Sequence, residues 1–176
     1  PSLKITPFDN NMTMSLTIPT IDIAPAYQGE RDTVGRKLID AYREWGFGYI
    51  AGHPIDPALM AAVFQQSRAF HDLALSTKME LQVDRSHRGY IPFKSSTDVT
   101  SSVEIVTKPN QSESFMMIGD IPSGQFLAGS DRWPDLPGFR DTMTTYREQM
   151  SSLARDLISL IASALGDAGT LTADFD

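Results

Sequence analysis

The feature of this 176-residue sequence that most constrains its fold is one long amphipathic pattern near the C-terminal end. Apolar residues recur there at intervals of three and four, which places them on one face of an α-helix: Phe139, Met143, Tyr146, Met150, Leu153, Leu157, Leu160, Ile161 and Ala164. The spacing predicts one helix across residues 137–166, about 40 Å long at 1.5 Å per residue. Gly166 marks its end. We expect this helix to be the spine on which shorter elements pack.

Shorter amphipathic patterns predict further helices upstream. One covers residues 33–45 and is followed by Gly46, a residue typical of helix C-terminal caps. Another begins after Asp56 and Pro57, which suit the N-cap and the first helical position, and continues to Leu73. A capping-box pattern across residues 77–80 predicts an additional short helix.

Only about three short segments have the character of β-strands. Residues 17–23 are rich in β-branched side chains, but Pro19 restricts them to an edge strand. Residues 47–52 predict a buried strand, and residues 113–119 another. The expected fold class is α+β, with helices packed on a few short strands. Such strands would leave open sheet edges, so we expect them to be completed by further chain or by a partner.

Composition excludes several classes of function. The net charge is −7 and no segment concentrates Lys and Arg, so we expect neither a nucleic-acid partner nor a membrane partner. The chain has no cysteine, which rules out disulfides and thiolate chemistry within it and makes the cytoplasm the expected location. Residues 1–17 are polar and without periodicity, and we predict a flexible N-terminal segment ahead of one region across residues 18–176.

Three histidines are available for chemistry, and none has metal-ligand spacing. A non-haem iron site is commonly built from a His-x-Asp or His-x-Glu pair and a distant His, and no such pair occurs. We therefore predict no metal ligand and no catalytic residue in this chain. His53 is interpreted as a structural residue that caps the predicted strand before the helix start at Asp56 and Pro57, and His71 as a structural residue of a helix.

Residues 84–112 have a different character from their surroundings. They are rich in Ser, Thr and charge, with Gly and Pro as breakers, which predicts an irregular functional loop on the substrate side. Within it, His87, Arg88 and Tyr90 together could hold a carboxylate or another polar ligand. The alternative is a loop that is simply solvated, and of the two we predict that a substrate is contacted here.

Six segments together resemble the N-terminal half of the isopenicillin N synthase-like iron(II)/2-oxoglutarate-dependent oxygenases. In family order they are "IPTIDI", "EWGFGYIAGHPID", "FHDLALSTKMEL", "RGYIPF", "SESFMMIGDIP" and "RWPDLPGFRDTMTTYREQMSSLARDLISLIASALG", and they span residues 18–166. The resemblance implies helices and strands that buttress a double-stranded β-helix, or jelly roll, most of which is missing from this chain. It also implies Fe(II) and 2-oxoglutarate as cofactors, with ligands expected beyond Asp176.

The resemblance further implies which residues face a substrate. They are His87, Arg88 and Tyr90, together with Ser114 and Met116 on the strand that follows Glu113. In isopenicillin N synthase an Arg stands where this chain has His87, and a second Tyr stands where it has Ile91. The identity of the substrate is therefore open: another small organic acid, an amino acid derivative or a natural product fits as well as the penicillin precursor.

The leading hypothesis is an oxygenase that uses dioxygen to hydroxylate, desaturate or cyclise a small molecule, with this chain as its N-terminal buttress. The alternative is a non-catalytic binding or scaffold module derived from the same family. A metal-free hydrolase would need Ser, His and Asp to meet by folding, and no Gly-x-Ser-x-Gly elbow supports it. The sequence leaves the oligomeric state open.

Overall fold

The computed structural model describes residues 17–95 and 108–167. The elements in chain order are strand β1 (Thr20–Asp22), a 3-10 helix (Ala24–Gln28), α1 (Arg31–Trp45), β2 (Tyr49–Ala51), α2 (Pro57–His71), α3 (Leu75–Met79), β3 (Gly89–Ile91), β4 (Ser114–Met116) and α4 (Phe139–Ala164). This α+β content of helices and few short strands confirms the expected class. The predicted flexible segment 1–17 lies almost entirely outside the described residues.

The chain divides into two compact units. Unit 1 combines residues 1–54 with residues 151–176, and unit 2 comprises residues 55–150. The long helix predicted across residues 137–166 is confirmed as α4, and its sequence contributes to both units. No helix in the described part of the chain is both long enough and apolar enough to cross a bilayer.

Unit 1 contains a parallel pair of strands. β1 and β2 align with Thr20 opposite Tyr49 and Ile21 opposite Ile50. Ile21 and Ile23 are buried, but Tyr49 is 61% exposed. The prediction that residues 47–52 form a buried strand is therefore wrong for Tyr49, because the described residues leave one face of this short pair uncovered.

Helix α1 packs in unit 1 against the second half of α4. Val34, Leu38 and Ala41 are buried on its apolar face. Gly35 permits the close approach, since a Cβ atom there would lie 2.7 Å from the Cβ of Ala164 and closer still to the carbonyl oxygen of Leu160. At its C-terminal end Gly46 adopts φ +78°, and its N–H donates to the Tyr42 carbonyl at 3.0 Å, as the sequence predicted.

Unit 2 is built around a mainly aromatic core. Phe70 of α2, Tyr90 of β3, and Phe139 and Met143 of α4 are all buried and cluster together. Phe115 of β4 joins them, with its ring centroid 4.8 Å from that of Phe70 and 5.3 Å from that of Phe139 in edge-to-face geometry. This core fixes the inner face of the β3–β4 pair.

Local signals in unit 2 are partly confirmed. The Asp56 carboxylate accepts the N–H of Ala58 at 2.8 Å, so the predicted N-cap of α2 is correct. The capping box across residues 77–80 is wrong, because α3 already begins at Leu75 and no side chain caps it. The prediction of one irregular excursion across residues 84–112 is wrong at Gly89–Ile91, which forms β3; residues 96–107 lie outside the described residues.

Candidate substrate-facing site

The predicted substrate-facing residues lie on or beside one two-stranded antiparallel sheet. In its register Gly89 is opposite Met116, Tyr90 is opposite Phe115 and Ile91 is opposite Ser114. His87 stands two residues before Gly89, at the end of the pair where Met116 lies. The fold therefore brings together the two sequence segments that the resemblance selected.

Three of these residues present their side chains outward. On β4, Ser114 and Met116 are exposed and alternate with the inward Phe115, as the period of a strand requires. Met116 is 41% exposed. His87 is also exposed, and its backbone is in the left-handed region at φ +58°, which is uncommon for a residue other than glycine. Among the described residues, these three side chains are therefore accessible to a ligand.

Arg88 is fully buried, with no side-chain exposure. Its Nη1 donates to the carbonyls of Ser86 at 2.9 Å and Leu127 at 2.8 Å. Its Nε and Nη2 both donate to the carbonyl of Gly119, at 3.1 and 2.6 Å. The guanidinium therefore hydrogen-bonds to backbone carbonyls of this chain. It is too deeply buried to contact a ligand in this structure.

Asp131 is the counterion of this arginine, and sequence reasoning did not select it. One carboxylate oxygen lies 3.3 Å from Arg88 Nε, and the side chain is 4% exposed. The carboxylate also accepts the N–H of Ile118 and of Gly119, both at 2.9 Å, and Nη1 of Arg147 at 2.7 Å. No local motif marks Asp131, because its partners are distant in sequence.

Tyr90 is the second predicted residue that the structure buries. Its hydroxyl donates to the carboxylate of Glu113, which also accepts two hydrogen bonds from Lys78 Nζ, at 3.0 and 3.1 Å. Burial first, and then the hydrogen bond to Glu113, raise the pKa of Tyr90 to about 12. The Tyr90 and Lys78 hydrogen bonds lower the pKa of Glu113. Lys78 and Glu113 were not predicted from the sequence, since 35 residues separate them.

An apolar cavity of about 270 Å³ lies on the inner side of β4. Its lining includes aromatic and sulfur-containing side chains from β4, α2 and α4, with Ser67 and His71 as polar groups. His71 Nδ1 lies 2.8 Å from the carbonyl of Ser67 in the same helix, which agrees with its interpretation as a structural residue.

The described residues do not fit an iron site. Across residues 17–95 and 108–167, no group of three His, Cys, Asp or Glu side chains is arranged to hold a metal ion. The Nδ1 atom of His53 is buried and has no hydrogen-bond partner in the structure. With no neighbouring ligand set, that atom does not make a metal centre.

Comparison with known proteins identifies the type of chain. Residues 18–136 match the family model described as the N-terminal region of non-haem dioxygenases in morphine synthesis. The 2-oxoglutarate-dependent dioxygenase eupC of a Phoma species is 33% identical over 165 residues, covering 84% of this chain and 51% of the relative. The 2-oxoglutarate-dependent dioxygenase citB of Monascus ruber is 31% identical over 167 residues, covering 86% and 49%.

Solved structures agree on the fold. A 2OG-Fe(II) oxygenase family protein from Caulobacter crescentus superposes with a TM-score of 0.70 at 21% identity, covering 85% of this chain and 49% of that one. This chain thus spans about half the length of the relatives that it matches. The predicted resemblance to isopenicillin N synthase-like oxygenases is confirmed, and the chain belongs to the N-terminal family of the non-haem dioxygenases.

Proposed function

We propose that the protein carrying this chain is an iron(II)- and 2-oxoglutarate-dependent oxygenase that acts on a small molecule with dioxygen as co-substrate. The observation that supports this most strongly is the family match across residues 18–136. Relatives named 2-oxoglutarate-dependent dioxygenases, at 31–33% identity, point to the same cofactors. The proposal includes a jelly-roll barrel and iron ligands contributed by residues other than those described.

In this proposal the described chain buttresses the enzyme and supplies one wall of the substrate mouth. His87, Ser114 and Met116 are its substrate-facing residues, since their side chains are exposed on or beside one sheet. Met116 offers a flexible apolar surface, while His87 and Ser114 offer hydrogen bonds. Such a mixture suits an apolar molecule that carries a few polar groups.

Arg88 and Tyr90 take a different role in this proposal. Both are buried and bonded to groups of this chain. They stabilise the β3–β4 sheet from its buried face and do not touch the substrate.

The test uses the product of the complete gene, supplied with Fe(II) and isotopically labelled 2-oxoglutarate. Labelled succinate is measured with and without each member of a panel of small phenols and carboxylic acids. We expect iron-dependent succinate formation that at least one panel member stimulates. A protein that forms no succinate with any of them, with and without iron, would contradict the proposal and favour a non-catalytic binding module.

Variants then test the substrate-facing residues. We expect His87→Ala and Met116→Ala each to lower kcat/KM for the stimulating compound about tenfold, which corresponds to about 1.4 kcal/mol of transition-state stabilisation. Ser112→Ala is the matched control, because Ser112 is exposed just before Glu113 and outside β4. If His87→Ala and Met116→Ala have the same kcat/KM as the Ser112→Ala control, neither His87 nor Met116 belongs to the substrate mouth.

A further inference from the structure

Arg88 and Asp131 form a buried pair that ties together two distant stretches of chain. We name this pair the clasp. Arg88 precedes β3, and its guanidinium reaches the carbonyls of Gly119 and Leu127, which lie in the segment that follows β4. Asp131 comes from the far end of that same segment. The clasp therefore holds the entry to β3 against the chain that leaves β4.

Gly119 is gripped by both members of the clasp. Its carbonyl accepts two hydrogen bonds from Arg88, and its N–H donates to Asp131. It has φ +102°, a conformation that suits glycine, and a Cβ atom there would lie 3.2 Å from Nη1 of Arg147. The position of this backbone is thus determined from three sides.

Two strained residues border the clasp. His87 and Leu127 are non-glycine residues with φ of +58° and +59°. His87 directly precedes Arg88, and the Leu127 carbonyl accepts from Arg88 Nη1. Left-handed backbone of this kind persists only where surrounding contacts enforce it, and such positions cluster at functional sites.

The sheet register connects the clasp to the proposed substrate mouth. Gly89 pairs with Met116, so Arg88 lies at the end of the ladder where Met116 and His87 are exposed. The clasp fixes the backbone at Arg88, the residue next to His87. Through its hydrogen bonds to Gly119 it also fixes backbone three residues from Met116. A shift in either stretch would change how these two side chains are placed.

We propose that Arg88 and Asp131 are positioning residues that set the placement of His87 and Met116 and thereby determine which small molecules the mouth accepts. This inference rests on the proposed function. Neither clasp residue touches the substrate. Their effect is on selectivity between substrates, because they fix the shape of the wall that the substrate meets.

Lysine cannot reproduce the several hydrogen bonds that the planar guanidinium of Arg88 donates. Arg88 donates to three carbonyls from a planar group, whereas an ammonium on a flexible stem provides one point of charge. Arg88→Lys therefore keeps a charge beside Asp131 but releases backbone carbonyls. Asp131→Asn keeps the size of the side chain and one acceptor oxygen, and removes the charge.

The experiment compares Arg88→Lys and Asp131→Asn in the product of the complete gene, with Arg85→Lys as control. Arg85 is an exposed arginine of the same segment. The first measurement is amide hydrogen exchange at Ile118 and Gly119, whose N–H groups donate to Asp131. We expect exchange at least tenfold faster than wild type in both clasp variants, and unchanged exchange in the control.

The second measurement is the ratio of kcat/KM values for the two panel compounds that stimulate succinate formation most. We expect this ratio to change at least fivefold in both clasp variants. A purely structural role would lower the active fraction, which scales both kcat/KM values equally and leaves their ratio unchanged. An unchanged ratio together with faster exchange would overturn the proposal.

The two proposals fail in different ways. If the wild type forms no succinate with any panel compound, the proposed function is refuted, and with it the proposed role of the clasp in substrate selectivity. The exchange rates at Ile118 and Gly119 still show whether the clasp holds the segment that follows β4. If amide exchange at Ile118 and Gly119 is the same in Arg88→Lys as in the wild type, the clasp is refuted even when the enzyme is active. Asp131→Asn keeps the test decisive if Arg88→Lys does not fold.

Discussion

Replacement of Glu113 by Gln tests the buried network around Tyr90. Lys78 has a side chain only 8% exposed, and its ammonium donates hydrogen bonds to the Glu113 carboxylate and to the carbonyl of His71 at 2.9 Å, and lies 5.4 Å from the centroid of the Tyr90 ring. Glu113→Gln keeps the shape of the side chain but removes the counterion. A nearly buried positive charge then remains, and only neutral groups stabilise it: the His71 carbonyl, the new amide oxygen and the Tyr90 ring.

The magnitude follows from the burial of the two partners. Removing one partner of a fully buried pair costs about 3–5 kcal/mol, whereas an exposed pair contributes about 0–1 kcal/mol. Glu113 is 28% exposed and Lys78 keeps its bond to His71, so we expect an intermediate loss of about 2 kcal/mol in the free energy of unfolding. At roughly 2–4 °C per kcal/mol for a chain of this size, Tm falls by about 4–8 °C.

The pH dependence gives a second, independent readout. Hydrogen bonds from Tyr90 and then from Lys78 lower the pKa of Glu113 below its ordinary value of 4.5. A lowered carboxyl pKa means that the stabilisation is present above pH 4.5 and is lost as pH falls through the folded-state pKa. The stability difference between wild type and Glu113→Gln is therefore largest near neutral pH and shrinks in acid.

Urea unfolding followed by circular dichroism at pH 7 and at pH 3.5 measures both effects. Glu80→Gln is the control, since Glu80 is an exposed carboxylate that follows α3. The double variant Lys78→Met/Glu113→Gln should lose less stability than the two single changes added together, because it leaves no unpaired charge. The reasoning is refuted if Glu113→Gln loses no more than Glu80→Gln at pH 7, or if its deficit is the same at both pH values.

Three further predictions concern packing, capping and ionisation. Gly35→Ala gains about 1 kcal/mol of helix propensity, but overlap with Leu160 and Ala164 costs more, so thermal unfolding should show a net loss of about 1–2 kcal/mol that Ala164→Gly partly restores. Asp56→Ala removes the N-cap of α2 and should lower urea stability by about 1 kcal/mol, with Asp56→Asn close to wild type. Tyr90→Phe should remove one tyrosine's share of the tyrosinate absorbance, the share that develops near pH 12 in an alkaline titration.

Elements with strong local signals were predictable from sequence. The pattern of α4 continues over 26 residues, so no single neighbour decides it, and Gly166 ends it. Asp56 with Pro57, and Gly46 after α1, are likewise signals read within one turn of helix. In each case the residues that determine the structure are adjacent in sequence.

Elements that depend on distant partners were not predictable. β3 is three residues long, too short for alternation to show, and it exists because it pairs with β4, a stretch distant in sequence. The burial of Arg88 depends on the carbonyl of Leu127, 39 residues away, and on Asp131. An Arg-Gly-Tyr sequence beside polar residues looks like a ligand site, and only the folded chain shows that Arg88 and Tyr90 already have partners.

The composition of unit 1 from two separate stretches affects how the chain can fold during synthesis. Residues up to 54 leave the ribosome well before residue 151, about 100 residues later, a delay of roughly 5–20 s at ordinary translation rates. Throughout that time the apolar face of α1 lacks the helix turn around Leu160 on which Gly35 packs. Apolar helix surface is thus exposed in the nascent chain until its partner helix is made, and this interval favours aggregation.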